Sequence, residues 1–185
     1  LIVAADSDNV DTKIYDFTPG IIFNTSNLLL DIDEYQSGVG LKLRSESYSV
    51  RALLKLRYES GNSTFESNFG LALEKPFFSG MISPYWGISI DGGFEQNDFS
   101  TQEITTLTGD FSALFGTEIY LFDFLSVFAE YKLGLTISNV KTTNKTTDAS
   151  TSSLNYQIGS ELGNNGSIGV VIYLEQRPIN RKSDR

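Results

Sequence analysis

Apolar and polar residues alternate with a period of two along most of the chain, which is the pattern of β-strands with one apolar face. The strongest example has on one face Val127, Ala129, Tyr131, Leu133, Leu135 and Ile137. Similar stretches begin close to Tyr15, Val39, Tyr48, Phe65, Trp86, Phe111 and Ile168. Short polar breaks separate them, so neighbouring stretches are expected to form hairpins. The pattern predicts an all-β chain of about eight antiparallel strands.

The number of strands depends on a further alternating stretch, Leu154–Leu162. It is separated from Ile168 by Gly163-Asn164-Asn165-Gly166, which could be a tight turn and would then give a ninth strand. The apolar parity is the same on both sides of this break, so residues 154–174 can also be one long, kinked strand. Closed bacterial barrels have an even number of strands. We therefore predict eight strands.

The direction of the apolar face separates a membrane barrel from a soluble lipocalin-like barrel, whose apolar face points inward. Here the apolar faces run for about nine to eleven residues without a charge, the length that crosses a bilayer. The opposite faces carry charges in mid-strand. Aromatic residues also gather in two girdles. One girdle comprises Tyr48, Phe77, Phe78, Trp86, Phe122 and Phe124, and the other Phe23, Tyr58, Phe65, Phe94 and Phe99.

Connection lengths support the membrane interpretation. Long polar connections are predicted at Asn24–Tyr35, Gln96–Leu107 and Asn139–Ser153, and short ones at Ser45–Ser47 and Phe122–Phe124. Long external loops and short periplasmic turns are typical of outer-membrane barrels. We predict a closed up-and-down antiparallel transmembrane β-barrel. It occupies residues 12–176, after an exported N-terminal segment at 1–11 and before a polar C-terminal tail at 177–185.

Composition excludes several functions. The chain has no cysteine and no histidine, so it has no Ser-His-Asp triad, no Cys-His pair and no ordinary zinc site. The net charge of −9 argues against nucleic acid as a partner. We expect no enzymatic activity and no cofactor. The acidic residues Asp31, Asp33 and Glu34 are either a solvated loop or ligands of a divalent cation.

Charged residues on the polar faces are predicted to meet inside the barrel. The bases lie on the second and third strands and the acids on later ones. These lumen residues are Lys42, Arg44, Arg51, Lys55, Arg57, Glu66, Glu74, Asp91, Asp110, Glu118 and Glu130. They could line an ion-selective pore or proton path, or form a salt-bridge network that fills the narrow interior. The network is the interpretation that we favour.

Several segments resemble a known family. These are Gly38–Leu43, Val50–Leu54, Ile82–Gly87 and Phe115–Tyr131. They resemble the porin-family outer-membrane β-barrels of Gram-negative bacteria, particularly those of Bacteroidetes, which are related in shape to outer membrane proteins X and W. The resemblance covers roughly residues 12–176. It implies a location in the bacterial outer membrane. Small barrel enzymes that act on lipid A have a similar fold but rely on a catalytic histidine, which this chain lacks.

The function expected from these observations is that of a structural or interaction subunit of the outer membrane, for example an accessory component of a larger membrane complex. A narrow channel or small-ligand conduit is the alternative. Outer-membrane lipid, lipopolysaccharide and other outer-membrane proteins are the expected partners. The candidate partner-binding residues are Leu154, Tyr156, Ile158 and Leu162. They could equally pack on their own loops or belong to a membrane strand.

Overall fold

A computed structural model describes residues 17–26, 36–59, 63–78, 80–159 and 166–174, all of them in strands and their connections. The nine strands are β1 (Thr18–Ser26), β2 (Gln36–Arg44), β3 (Ser49–Glu59), β4 (Thr64–Pro76), β5 (Ile82–Asp98), β6 (Gln102–Phe122), β7 (Leu125–Asn144), β8 (Ser150–Gly159) and β9 (Gly166–Tyr173). In this part of the chain no helix is long and apolar enough to cross a membrane. The predicted segments 1–11 and 177–185 lie outside the described residues.

The strands form one closed antiparallel barrel. Each strand from β1 to β7 pairs with the next one along the chain, and β9 closes the ring by pairing with both β7 and β1. This up-and-down order confirms the predicted fold class. Closure satisfies the backbone hydrogen bonds of the first and last strands, which would otherwise be exposed edges.

The eighth strand position of the barrel consists of two pieces, β8 and β9, that pair with the same side of β7. Gly134–Thr143 of β7 pair with Gly159–Ser150 of β8, and Leu125–Tyr131 pair with Ile172–Gly166 of β9. Together the two pieces count as one position of the ring, which confirms the predicted number of eight, although β8 and β9 are separate strands among the described residues. The alternation also predicts that Val127–Ile137 pairs with about Gly166–Gln176. That pairing is wrong beyond Tyr131, because Ile137 is opposite Tyr156 of β8.

The two ends of the barrel differ in strand length. The turns that join β2 to β3 and β6 to β7 are short, as predicted, and we call this the short-turn end. At the opposite, hairpin end, the loops predicted at Gln96–Leu107 and Asn139–Ser153 are wrong. There β5, β6, β7 and β8 continue as paired strands, with only 99–101 and 145–149 between them. Both faces of these extensions are polar, so the period of two is absent from the sequence although the backbone ladder continues.

Polarity is inverted across the wall relative to a soluble protein. The side chains of Lys42 and Arg51 point inward and are 2% exposed, whereas the outward Leu41 and Ile90 are each 62% exposed. Among the described strands, no outward residue between Lys75 near one rim and Asp98, Glu103 and Lys141 near the other is charged. A lipocalin-like carrier has the reverse arrangement, so the structure contradicts that alternative.

Inward apolar side chains fill the space between the charges. Ile22, Leu53, Tyr120, Phe128, Val171 and Tyr173 form one buried cluster. Two glycines make room for large rings. A Cβ on Gly116 would lie 2.5 Å from the Tyr85 ring, and one on Gly169 would lie 2.4 Å from the Phe128 ring. Without these glycines Tyr85 and Phe128 could not cross the interior.

Candidate functional site

The centre of the barrel holds a buried ion-pair network, which we call the plug. It consists of Lys42, Arg51, Glu74, Glu118 and Glu130. Lys42 and Arg51 are directly opposed on β2 and β3. Glu74 bridges them, since its carboxylate lies 2.7 Å from Lys42 Nζ and 3.1 Å from Arg51 Nη1. Lys42 also reaches Glu118 at 3.0 Å, and Arg51 reaches Glu130 at 2.7 Å.

Hydroxyl groups complete the coordination of the plug carboxylates. Tyr173 Oη donates to Glu118 at 2.8 Å, and Ser126 donates to the same oxygen. Tyr85 Oη donates to Glu130 at 3.1 Å, and Ser167 Oγ donates at 3.0 Å. Buried charges are tolerated when they are both paired and hydrogen-bonded. Every charged group of the plug is paired, and Glu118 and Glu130 also accept hydroxyl hydrogen bonds. Arg51 Nε and Glu74 Oε1 have no hydrogen-bond partner among the described residues.

Aromatic rings close the lumen between the plug and the short-turn end. Tyr120 and Tyr173 stack with ring centroids 6.1 Å apart. The guanidinium of Arg44 lies 4.4 Å from the Tyr120 ring centroid and 5.9 Å from that of Tyr173. Both tyrosines are buried. Together with the plug they fill this half of an interior that is only wide enough for side chains.

A polar cavity of about 330 Å³ occupies the lumen between the plug and the hairpin end. Lys132 Nζ contacts Asp91 at 2.7 Å there, and their side chains remain 22% and 24% exposed. Thr136 donates a hydrogen bond to Asp110. The lining also includes Asn24, Lys55, Glu66, Asn68 and Ser112. Among the described residues, no group of three or more potential metal-ligating side chains is arranged to hold a metal ion.

All eleven lumen residues predicted from the sequence lie on the inward face. Five of them form the plug, and Arg44 lies on the aromatic rings. Lys55, Glu66, Asp91 and Asp110 line the cavity, and Arg57 is opposite Glu66 towards the hairpin end. Sequence reasoning missed the uncharged partners Tyr85, Tyr120, Tyr173 and Ser126 and omitted Lys132 and Asn24. These residues occupy the inward-facing positions in the alternation of their strands, and this alternation could have identified them.

The candidate partner-binding residues lie elsewhere, on the outer face. Leu154, Tyr156 and Ile158 are exposed on β8, opposite Asn139, Ile137 and Leu135 of β7. They extend the apolar surface of β7 towards the hairpin end. Leu162 lies outside the described residues, as do Asp31, Asp33 and Glu34.

Comparison with known proteins gives a structural match but no match in sequence. The barrel resembles the crystal structure of a major outer membrane protein from Thermus thermophilus, with a TM-score of 0.50 and 9% sequence identity. The match covers 85% of this chain and 98% of that chain. The fold is that of an outer-membrane β-barrel. No protein-family model matches the sequence, and no curated protein matches it either.

Proposed function

We propose that this chain is an integral protein of the bacterial outer membrane, that its outer face contacts lipid and lipopolysaccharide, and that it serves as a structural or interaction subunit with a closed lumen. The observation that carries this proposal is the inverted polarity of the wall: between the two rims of the described strands, a charge-free apolar exterior surrounds an interior in which the charged side chains of the plug are paired. Such an exterior is stable only when lipid covers it.

The filled lumen supports a structural role over the alternative of a conduit. An ion that crossed the barrel would have to pass between Arg51 and Glu130 and then displace the stacked rings of Tyr120 and Tyr173. Each step breaks contacts among groups that are otherwise shielded from water, which is costly. The plug carboxylates all have cationic or hydroxyl partners, so none is left to act as a general acid or base. A role without enzymatic activity or a cofactor follows from this proposal.

The outer face of β8 is the candidate interaction surface. Leu154, Tyr156 and Ile158 could contact another outer-membrane protein, because together they form an exposed apolar row. The pairing of Tyr156 with Ile137 and of Ile158 with Leu135 instead favours lipid, since both partners belong to the apolar belt of β7. We assign the row to the lipid-facing belt, and the Ile158→Asp variant distinguishes lipid contact from protein contact.

Two measurements on the purified full chain test the proposal. A closed barrel is expected to stay folded in sodium dodecyl sulfate at room temperature and to migrate differently after boiling. After reconstitution, planar-bilayer recording should show no stable conductance. A chain that is monomeric and soluble without detergent would contradict the membrane location. Regular, ion-selective current steps would instead establish the conduit.

A further inference from the structure

The lining of the cavity above the plug contains more acidic than basic side chains. Four carboxylates line it, those of Glu66, Asp91, Asp110 and Glu130, with the two ammonium groups of Lys55 and Lys132. Glu130 is held by Arg51 from below, and Asp91 by Lys132.

Asp110 lies directly opposite Asp91 in the register of β5 and β6, and both side chains point inward. Like charges on directly opposed positions of adjacent strands destabilise a sheet. Lys132 neutralises Asp91, but Asp110 receives only the hydroxyl of Thr136 and, among the described residues, forms no ion pair. A carboxylate in this position attracts a cation from outside.

Asn24 provides an independent observation on the same cavity. Its side chain points inward from β1, is 6% exposed and lines the cavity. Its Oδ1 atom has no hydrogen-bond partner among the described residues. Leaving a buried acceptor unsatisfied is costly, and native proteins rarely do so without a functional reason. Among the described residues, Asn24 Oδ1 therefore lacks a donor and Asp110 lacks a cation.

We propose that this cavity binds a small organic cation that carries several N–H donors, of the alkylammonium class. Such a ligand supplies the positive charge that Asp110 lacks and the donor that Asn24 lacks. A bare divalent cation fits less well, because Ca²⁺ takes six to eight oxygen ligands and, among the described residues, no three acidic side chains are placed to hold one metal ion. The volume of about 330 Å³ also suits a small molecule rather than an ion.

The cavity is accessible from the hairpin end. Lys132 and Asp91 keep about a quarter of their side-chain surface exposed, whereas the plug residues below them are almost completely buried. The ligand would therefore enter from the hairpin side and stop at the plug. This inference goes beyond the structural role proposed above, since a closed barrel needs no ligand.

Isothermal titration calorimetry on the detergent-solubilised full chain tests the proposal, with 1,4-diaminobutane as the probe. Saturable binding is expected, and the Asp110→Asn variant should weaken it about tenfold or more, because a hydrogen-bonded charge is lost. Asn24→Ala should also weaken it and serves as a second variant if Asp110→Asn does not fold. Asp123→Asn, in the exposed turn at the short-turn end, is the matched control and should bind like the wild type.

Three further probes separate the chemistry. 1,4-Butanediol has the same length without charge, tetramethylammonium has charge without N–H donors, and calcium chloride supplies a metal; none should match the diamine. The proposal is overturned if the diamine does not bind or if any of these three probes binds as tightly as the diamine. It is also overturned if both cavity variants bind the diamine like the wild type. Binding in detergent does not depend on conductance, so this result is independent of the test of the closed lumen.

Discussion

The two halves of the lumen contain similar charged residues but differ in how these are held. In the plug, Glu74 contacts two cations, and Glu118 and Glu130 each accept a cation and hydroxyl groups. In the cavity, Lys132 and Asp91 form a single pair that remains partly exposed. Tyrosine rings accompany the plug, whereas glycine, serine and threonine line much of the cavity. Side-chain volume, and not charge alone, therefore decides which half of this narrow barrel is closed.

The wall differs between the same two halves. β9 pairs with β1 on one side and β7 on the other, next to the plug. β8, next to the hairpin end, pairs with β7 alone among the described residues. The ring of strands is therefore complete around the filled half of the interior. Around the cavity, β8 is held by hydrogen bonds to one neighbouring strand only. We expect global stability to depend mainly on the plug.

The largest effect should come from removing a cation of the plug. Arg51→Ala leaves Glu130 buried without its cation and Glu74 with only one, and should lower the free energy of unfolding by about 3–5 kcal/mol. Lys132→Ala is the matched change in the cavity. It should cost less than about 1 kcal/mol, since water can replace a partly exposed cation. Urea unfolding in lipid vesicles measures both, and equal losses would contradict the distinction between the halves.

A smaller effect is expected when one hydroxyl is removed from each half. Tyr173→Phe removes the donor to Glu118 in a fully buried site and should cost about 1.5–3 kcal/mol. Thr136→Val, an isosteric change, removes the donor to Asp110. Because the cavity is partly open to solvent, that change should cost about 0.5–1 kcal/mol. The same unfolding experiment compares the two, and a larger loss for Thr136→Val would reverse the account.

The inward direction of the charged residues could be predicted because strand alternation is a strictly local property. Once the apolar parity of β3 was assigned, the inward direction of Arg51, Lys55 and Arg57 followed. The partners of these residues could not be derived in the same way. The meeting of Arg51 with Glu130 depends on the shear of the closed barrel, which brings together strands that are far apart in sequence. The extensions of β6 and β7 could not be predicted, because polar residues occupy both faces there and the sequence shows no alternation of apolar and polar positions.

The effect expected on the outer face of the wall at the hairpin end is smaller than that of Arg51→Ala. If Ile158 faces lipid, Ile158→Asp should lower stability by about 1–2 kcal/mol and reduce insertion into vesicles. Ser152→Asp is on the same face of β8 but nearer the polar tip, and should insert like the wild type. An Ile158→Asp protein that inserts normally but loses a co-purifying outer-membrane protein would instead identify this face as a docking surface.

Two neighbouring residues of β6 show whether the apolar exterior lies in lipid while the cavity is open to water. Ser112 points inward and lines the cavity, whereas Ala113 points outward between Ile88 and Leu133. The chain has no cysteine, so Ser112→Cys and Ala113→Cys each carry a single nitroxide label. In reconstituted vesicles, electron paramagnetic resonance measures how strongly each label is relaxed by oxygen, which dissolves in lipid, and by a water-soluble nickel reagent. Oxygen should relax the label at 113 more strongly than the label at 112, and the nickel reagent should relax the label at 112 more strongly than the label at 113. The opposite preference, or the same preference at both positions, would contradict the account.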